Sequence, residues 1–181
     1  GTTFDIFEEL FEKGLKPENV FLIGKCYSTN KETFDLFQKR GVNISEASFA
    51  FDGHISFDEL FQKNIEKFFK NIQSSVVLKS FERVVILDDG GYLIALSNDF
   101  LKGLQNVVGV EQTTSGYEKI KTLKLNFPVL NIARSKAKLE IESPFIAEIA
   151  ASKLEEYLQK YQVENPNILI VGIGYIGTAI S

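Results

Sequence analysis

Asn167-Ile168-Leu169-Ile170-Val171-Gly172-Ile173-Gly174-Tyr175-Ile176-Gly177 decides how the rest of the chain is read. An unbroken apolar run bounded by Asn and Gly predicts a strand buried on both faces, as in a parallel sheet. Gly-x-Gly-x-x-Gly followed by helix-compatible residues is the turn that receives a dinucleotide. In such a turn Gly172 makes the tight bend and Gly174 admits backbone to the pyrophosphate. Gly177 lets helix and strand pack closely, and the helix N-terminus faces the phosphates. Tyr175 and Ile176 fill the variable positions of the same turn. A complete βαβ unit needs ~30 residues, and Ser181 comes four residues after Gly177. Either the remainder of a cofactor domain lies beyond Ser181, or the motif is accidental.

Upstream, strand-like and helix-like segments alternate. Strands are expected at Asn19–Gly24, Val42–Phe51, Val84–Asp88, Asn106–Glu111 and Pro128–Ala133. Helices are expected at Asn30–Arg40, with Phe34, Leu36 and Phe37 on the apolar side and Gly41 as C-cap, and at Tyr117–Leu125. A third follows the capping-box sequence Ser56-Phe-Asp-Glu59, in which Ser56 caps and Glu59 reaches back. It carries Leu60, Phe61, Ile65, Phe68, Phe69 and Ile72 at helical spacing, read as core. The last runs from Ser143-Pro144, with Pro in its first turn, to about Tyr161, where Asn165-Pro166 breaks the pattern.

Alternation of this kind predicts an α/β fold: a flavodoxin-like parallel sheet with flanking helices over residues 1–162, leading into an incomplete Rossmann dinucleotide-binding domain over residues 163–181. Ligands of such sheets bind at the carboxyl ends of the strands. The polar groups there are Cys26 to Glu32, Asp88 to Gly91, Glu111 to Gly116 and Arg134 to Lys138. Each has a plainer reading beside the functional one. Asp88-Asp89 before Gly-Gly is ordinary turn chemistry, Lys138 belongs to a basic stretch that reads equally as a solvated loop, and Gln112-Thr-Thr-Ser reads as capping. His54, the only histidine, falls in a turn, and Cys26 reads as a small buried apolar residue.

Hydrophobic residues make up 44% of the 181 positions and charged residues 24%, enough apolar material for a core. Net charge is −4 with no basic patch, which argues against nucleic acid as a partner. A single Cys excludes an internal disulfide. No apolar run approaches ~18 residues and the N-terminus has no leader pattern. No membrane association and a cytoplasmic location are expected, and a homo-oligomer is compatible with the sequence.

Taken in order, the strand-end segments resemble the S-adenosylhomocysteine hydrolase family along most of the chain. Leu87-Asp-Asp-Gly-Gly91 is similar to that family's LDDGG strand end, and Glu111-Gln-Thr-Thr-Ser-Gly116 to its EETTTG segment. Pro128-Val-Leu-Asn-Ile132 followed by Lys138 is similar to its PAINV segment and active-site lysine. Gly172-Ile-Gly-Tyr-Ile-Gly177 resembles its GYGDVG turn, and Gly24-Lys-Cys-Tyr-Ser-Thr-Asn-Lys-Glu-Thr33 its first strand end.

The resemblance implies a nucleoside-type ligand held between a flavodoxin-like domain and a Rossmann domain carrying NAD, which transiently oxidises the ribose 3′-hydroxyl. It implies Asp89 and Lys138 as catalytic residues. Glu32, Ser28, Asn30, Gln112, Thr113 and Glu142 would bind substrate, and Gly172, Gly174, Tyr175, Ile176, Gly177, Thr113 and Thr114 would bind NAD. The departures bear on activity. Ser28 stands where the family has histidine, Asn30 where it has threonine, and Gln112 where it has a catalytic glutamate. Glu142 replaces an aspartate, Ala133 and Ser143 replace asparagines, and Ala147 a cysteine; the family's long N-terminal insertions are short here. Two other readings remain open at this point: a non-hydrolytic NAD- or nucleoside-binding regulatory homologue, and a relative of the 2-hydroxy-acid dehydrogenases.

Overall fold

A computed structural model describes residues 2–74, 81–172 and 174–180; Ile173 of the glycine turn lies outside them. The order of elements is α1 (Thr2–Glu12), β1 (Phe21–Leu22), α2 (Lys31–Lys39), β2 (Asn43–Ile44), α3 (Phe57–Ser74), β3 (Val84–Asp88), α4 (Tyr92–Phe100), β4 (Val107–Glu111), α5 (Thr114–Ile120), β5 (Val129–Asn131), α6 (Ser143–Lys160) and α7 (Tyr175–Ile180). The described residues form a mixed α/β structure with two small parallel sheets, one ordered β1-β2 and the other β3-β4-β5, flanked by helices.

Each sheet has its own apolar core. The first packs Val20, Phe37 and Val42 against Phe4, Phe7 and Phe11 of α1. Phe37 meets the Phe4 and Phe7 rings edge-on at 5.2 and 5.5 Å. The second packs Phe61, Ile65 and Phe69 of α3 against Ile86, Ile94, Val107 and Ile120. Burial of one such side chain is worth ~1.5–3 kcal/mol, and the i, i+4 spacing of Phe61, Ile65 and Phe69 places all three on one face of α3. Ile23, just past β1, packs against this second cluster, so the chain leaving the first sheet is anchored to the second.

Local sequence explains the ends of most elements, and several differ from expectation. Asn30 caps α2, its side chain accepting from Thr33 N at 3.0 Å, and Gly41 (φ +87°) follows as the left-handed terminator. Leu36 does not share the buried face of Phe34 and Phe37: it is two residues from one and adjacent to the other, hence off the i, i+3 stripe, and is exposed. The second strand stops at Ile44 because Ser45 caps a 3-10 turn over Glu46–Phe49, its hydroxyl accepting from Ala47 N. Ser56 does cap α3, but Glu59 turns to Lys63 at 2.7 Å instead of reaching back. α5 begins three residues earlier than expected because Thr113 caps it. The fifth strand keeps only Val129–Asn131.

The largest departure is the apolar run before the glycine turn. It joins no ladder among the described residues, and Leu169 and Val171 are 86% and 90% exposed. Hydropathy specifies burial without specifying a partner, and neither described sheet offers this run a neighbouring strand. No helix among the described residues is long and apolar enough to cross a membrane.

Candidate functional site

The three strands of the second sheet end in register: Asp88 lies opposite Glu111, and Glu111 opposite Asn131. Alternation along β4 buries Val107, Gly109 and Glu111 on one face. Glu111 is completely buried, and Asp88 nearly so. Buried carboxylates persist only when donors meet them. Glu111 Oε1 accepts from Thr113 N and Thr113 Oγ1, both at 2.7 Å, and from Gly90 N at 3.2 Å. Its other oxygen, Oε2, has no hydrogen-bond partner in the described structure. The carboxyl lies directly on Gly116, where an added Cβ would stand 2.4 Å from Glu111 Cδ. Asp88 Oδ2 accepts from Ile94 N at 2.9 Å, satisfying a first-turn donor of α4. Burial, reinforced by the neighbouring Glu111 charge, pushes the Asp88 carboxyl up to about 6 against the opposing Ile94 hydrogen bond.

Asp89 is the next residue and points the other way. Its carboxylate pairs with Lys25 Nζ at 3.3 Å, joining the end of β3 to the end of β1 across 64 residues of sequence. Gly90 (φ +112°) and Gly91 (φ +76°) then turn the chain into α4; a Cβ on Gly91 would meet Gly116 O at 2.7 Å, so the α4 and α5 N-termini approach as closely as they do only with glycine there. Gln112, half-buried, donates its backbone N–H to Asp88 O at 3.0 Å and so sits beside Asp89 on the same sheet edge.

The turn after β1 brings the remaining candidates to that end of the fold. Gly24 N donates to the fully buried Ser48 hydroxyl at 2.8 Å, and the Lys25 carbonyl accepts from Ser28 N, Thr29 N and Thr29 Oγ1. Ser28 and Glu32 are exposed, and Asn30 is occupied as the α2 cap. Thr113 is occupied as well, between Glu111 and the α5 cap, whereas Thr114 is exposed.

Lys138 follows β5 in a π-helical turn over Ala137–Glu142, a helical irregularity frequent at functional sites. Its ammonium pairs with Glu142 at 2.6 Å, one turn along. Its backbone is tied at both ends, to Ser135 Oγ and from Ser143 Oγ. Among the described contacts it touches neither Asp89 nor Gln112. In the glycine turn Gly172 has φ +108°, and a Cβ on Gly177 would fall 2.1 Å from Gly172 O; around Gly174 nothing lies within 4 Å of the Cβ position. Tyr175 and Ile176 open α7 and are exposed.

Lys25 and Ser48 were not singled out by the sequence, Glu111 entered only as the first residue of its strand-end segment, and the resemblance assigned a role to Asp89 and none to the buried Asp88. Parity along Val107-Val-Gly-Val-Glu111 was the available signal for Glu111, since it puts the carboxylate on the same face as Val107. His54 stays in an exposed turn, its N–H bonded to Asp52. A cavity of about 620 Å³ lies at the opposite edge of the sheet, lined by Arg83, Lys102, Asn106 and Phe127 among others. It is at the amino ends of β4 and β5, away from the strand ends where parallel sheets hold ligands. No group of three or more His, Cys, Asp or Glu among the described residues is placed to hold a metal ion.

No protein-family model matches the chain. It is 41% identical over 180 residues to uncharacterized protein Rv0104 of Mycobacterium tuberculosis strain ATCC 25618 / H37Rv, and equally to uncharacterized protein MT0113 of strain CDC 1551 / Oshkosh. The alignment covers 99% of this chain and 36% of each relative, so the chain spans about a third of the length of the curated relatives it matches.

Proposed function

We propose that the chain is the substrate-side part of an NAD-binding, adenosylhomocysteinase-like protein that binds a nucleoside-type ligand at the seam between its two sheets. The observation that carries this reading is the Lys25–Asp89 pair. It brings the turn after β1 near the turn after β3, a placement that supports reading the two separate sheets in the flavodoxin-like order β2-β1-β3-β4-β5. The point where strand order reverses in that arrangement, between β1 and β3, is where ligands of such sheets bind. Asp89 is 65% exposed there, its carboxylate free on one oxygen to accept ribose hydroxyls by charge-assisted hydrogen bonds. Gln112 offers an amide from the adjacent strand end, and Glu32 a carboxylate from the first turn of α2.

The glycine turn fits a dinucleotide on backbone grounds. Gly172 holds a left-handed φ of +108° that favours glycine, a Cβ on Gly177 would collide with Gly172 O, and the space around Gly174 leaves a pyrophosphate room to approach. Gly172, Gly174, Tyr175, Ile176 and Gly177 would hold NAD, with Thr113 and Thr114 on its substrate side. NAD, when bound, supplies a hydride acceptor for a ribose hydroxyl. Lys138 would take the hydroxyl proton once Glu142 releases its ammonium and it has lost its own. Neither Ser28 nor Gln112 can exchange a proton near neutral pH, which favours ligand binding with little hydrolysis over full turnover.

Calorimetric titration of the full-length protein with adenosine and with NAD tests this reading. Saturable heat with both supports it; no heat and no thermal shift at millimolar concentrations of either removes it.

A further inference from the structure

We propose that Lys25 is a positioning residue, holding the Asp89 carboxylate where it receives the hydroxyls of the ligand. The inference rests on the nucleoside reading for what Asp89 does, and on geometry alone for how Lys25 acts.

Of the two partners Lys25 is the fixed one. Its preceding amide, Gly24 N, is bound to Ser48 Oγ at 2.8 Å, and Ser48 is completely buried. Its own carbonyl accepts from Ser28 N, Thr29 N and Thr29 Oγ1 at 3.0, 2.9 and 2.8 Å. Gly24 lies close against Thr29, where an added Cβ would stand 2.3 Å from Thr29 Oγ1. The lysine side chain is only 19% exposed, so its stem is packed and its ammonium emerges at one place. The backbone beside Asp89 is held through Gly90 N and Glu111 Oε1 at 3.2 Å, but the Asp89 side chain is 65% exposed and its described ion-pair partner is Lys25. A fixed cation beside a loosely held carboxylate reduces the conformations that carboxylate samples, and preorganisation of that kind lowers the cost of binding. The contact at 3.3 Å leaves ammonium donors and the second Asp89 oxygen available, so a hydroxyl can join the pair without breaking it. Gly90 keeps the space clear: its Cβ position lies 3.4 Å from both Lys25 Nζ and the Tyr92 ring.

The test uses the full-length protein and adenosine as probe, with Lys25→Met, Lys25→Arg, Asp89→Asn and the double variant Lys25→Met/Asp89→Asn. Lys25→Met is expected to weaken adenosine binding about tenfold, with Lys25→Arg recovering most of the loss. The double variant should bind no more weakly than Asp89→Asn alone, because Lys25 acts through Asp89. Losses that multiply in the double variant overturn the proposal, as does a Lys25→Met protein that melts at a lower temperature yet binds adenosine normally. A second measurement needs no ligand: acetylation of Lys25 by an amine-directed reagent, followed by mass spectrometry, should run several-fold faster in Asp89→Asn than in the unmodified sequence. Equal rates overturn the pairing. If the unmodified protein takes up no adenosine, the nucleoside reading falls, and the acetylation rates alone decide whether Lys25 holds Asp89.

Discussion

The carboxyl group of Glu111 rests on the α-carbon of Gly116, five residues later, so closely that the glycine can carry no side chain. A Cβ would lie 2.4 Å from both Cδ and Oε1 of Glu111. Since Glu111 Oε1 also gathers the amides of Gly90 and Thr113, this contact fixes the two loops that carry Asp89 and Gln112. Gly116→Ala is expected to destabilise by about 1–3 kcal/mol. The check is urea unfolding: the midpoint should fall while the slope stays the same.

Asp88 makes stability depend on pH. Its folded carboxyl is raised from 3.8 to about 6, so the native state binds more protons than the unfolded chain between these values. Stability from this group is fully present below the unfolded value, declines as pH rises through about 6 and is flat above. The change is on the order of 3 kcal/mol. Asp88→Asn keeps an acceptor for Ile94 N and removes the titration, so its unfolding free energy should vary less between pH 4 and 7. An equal slope in both proteins would assign the dependence elsewhere.

Ser48 is buried and its hydroxyl accepts from Gly24 N. Ser48→Ala leaves that amide without its acceptor and should cost about 1–3 kcal/mol. Circular-dichroism melting would read the loss, and hydrogen exchange at Gly24 would place it.

Within the glycine turn, two substitutions should separate folding from binding. A Cβ at Gly174 meets nothing within 4 Å, so with Gly174→Val the full-length protein should melt as before but lose its thermal shift with NAD. Gly177→Val must collide with Gly172 O, 2.1 Å from the Cβ position, and should disturb α7 as well. A Gly174→Val protein with unaltered NAD response would remove the turn from the cofactor site.

Hydrolysis of S-adenosylhomocysteine by the full-length protein should be close to background. Losing one general acid or base costs ~10²–10⁴-fold, and both Ser28 and Gln112 lack that capacity. Homocysteine release, followed beside NADH absorbance, measures it. Robust turnover would show that another group supplies the proton.

The parallel organisation was legible because periodicity and caps agree locally: the stripe on α3 and the Asn30 cap are both visible in a few consecutive residues. Glu111 was legible in principle, from the parity of β4. Lys25 was not, because its meaning lies in a partner 64 positions away and nothing in Gly24-Lys25-Cys26 marks it. Ile168–Val171 misled for the opposite reason. Its composition asks for a buried strand, yet burial is conferred by neighbours that composition does not name. β1 and β2 were over-extended because apolar residues beside a ladder, such as Ile23, are buried without joining it.

The separation of the two cores has a consequence for how the molecule opens. Each parallel sheet closes from one contiguous length of chain, the first within residues 2–49 and the second within residues 57–131. Elements that are local in sequence and share a core tend to protect and expose their amides as cooperative units. Were the ends of β1 and β3 to belong to different units, the region between Lys25 and Asp89 would open with the less stable one, restrained only by contacts such as Ile23 against the second core. Amide exchange would show two tiers of protection, with the boundary running through the turn that carries Lys25, and a ligand seated there would slow the lower tier toward the higher.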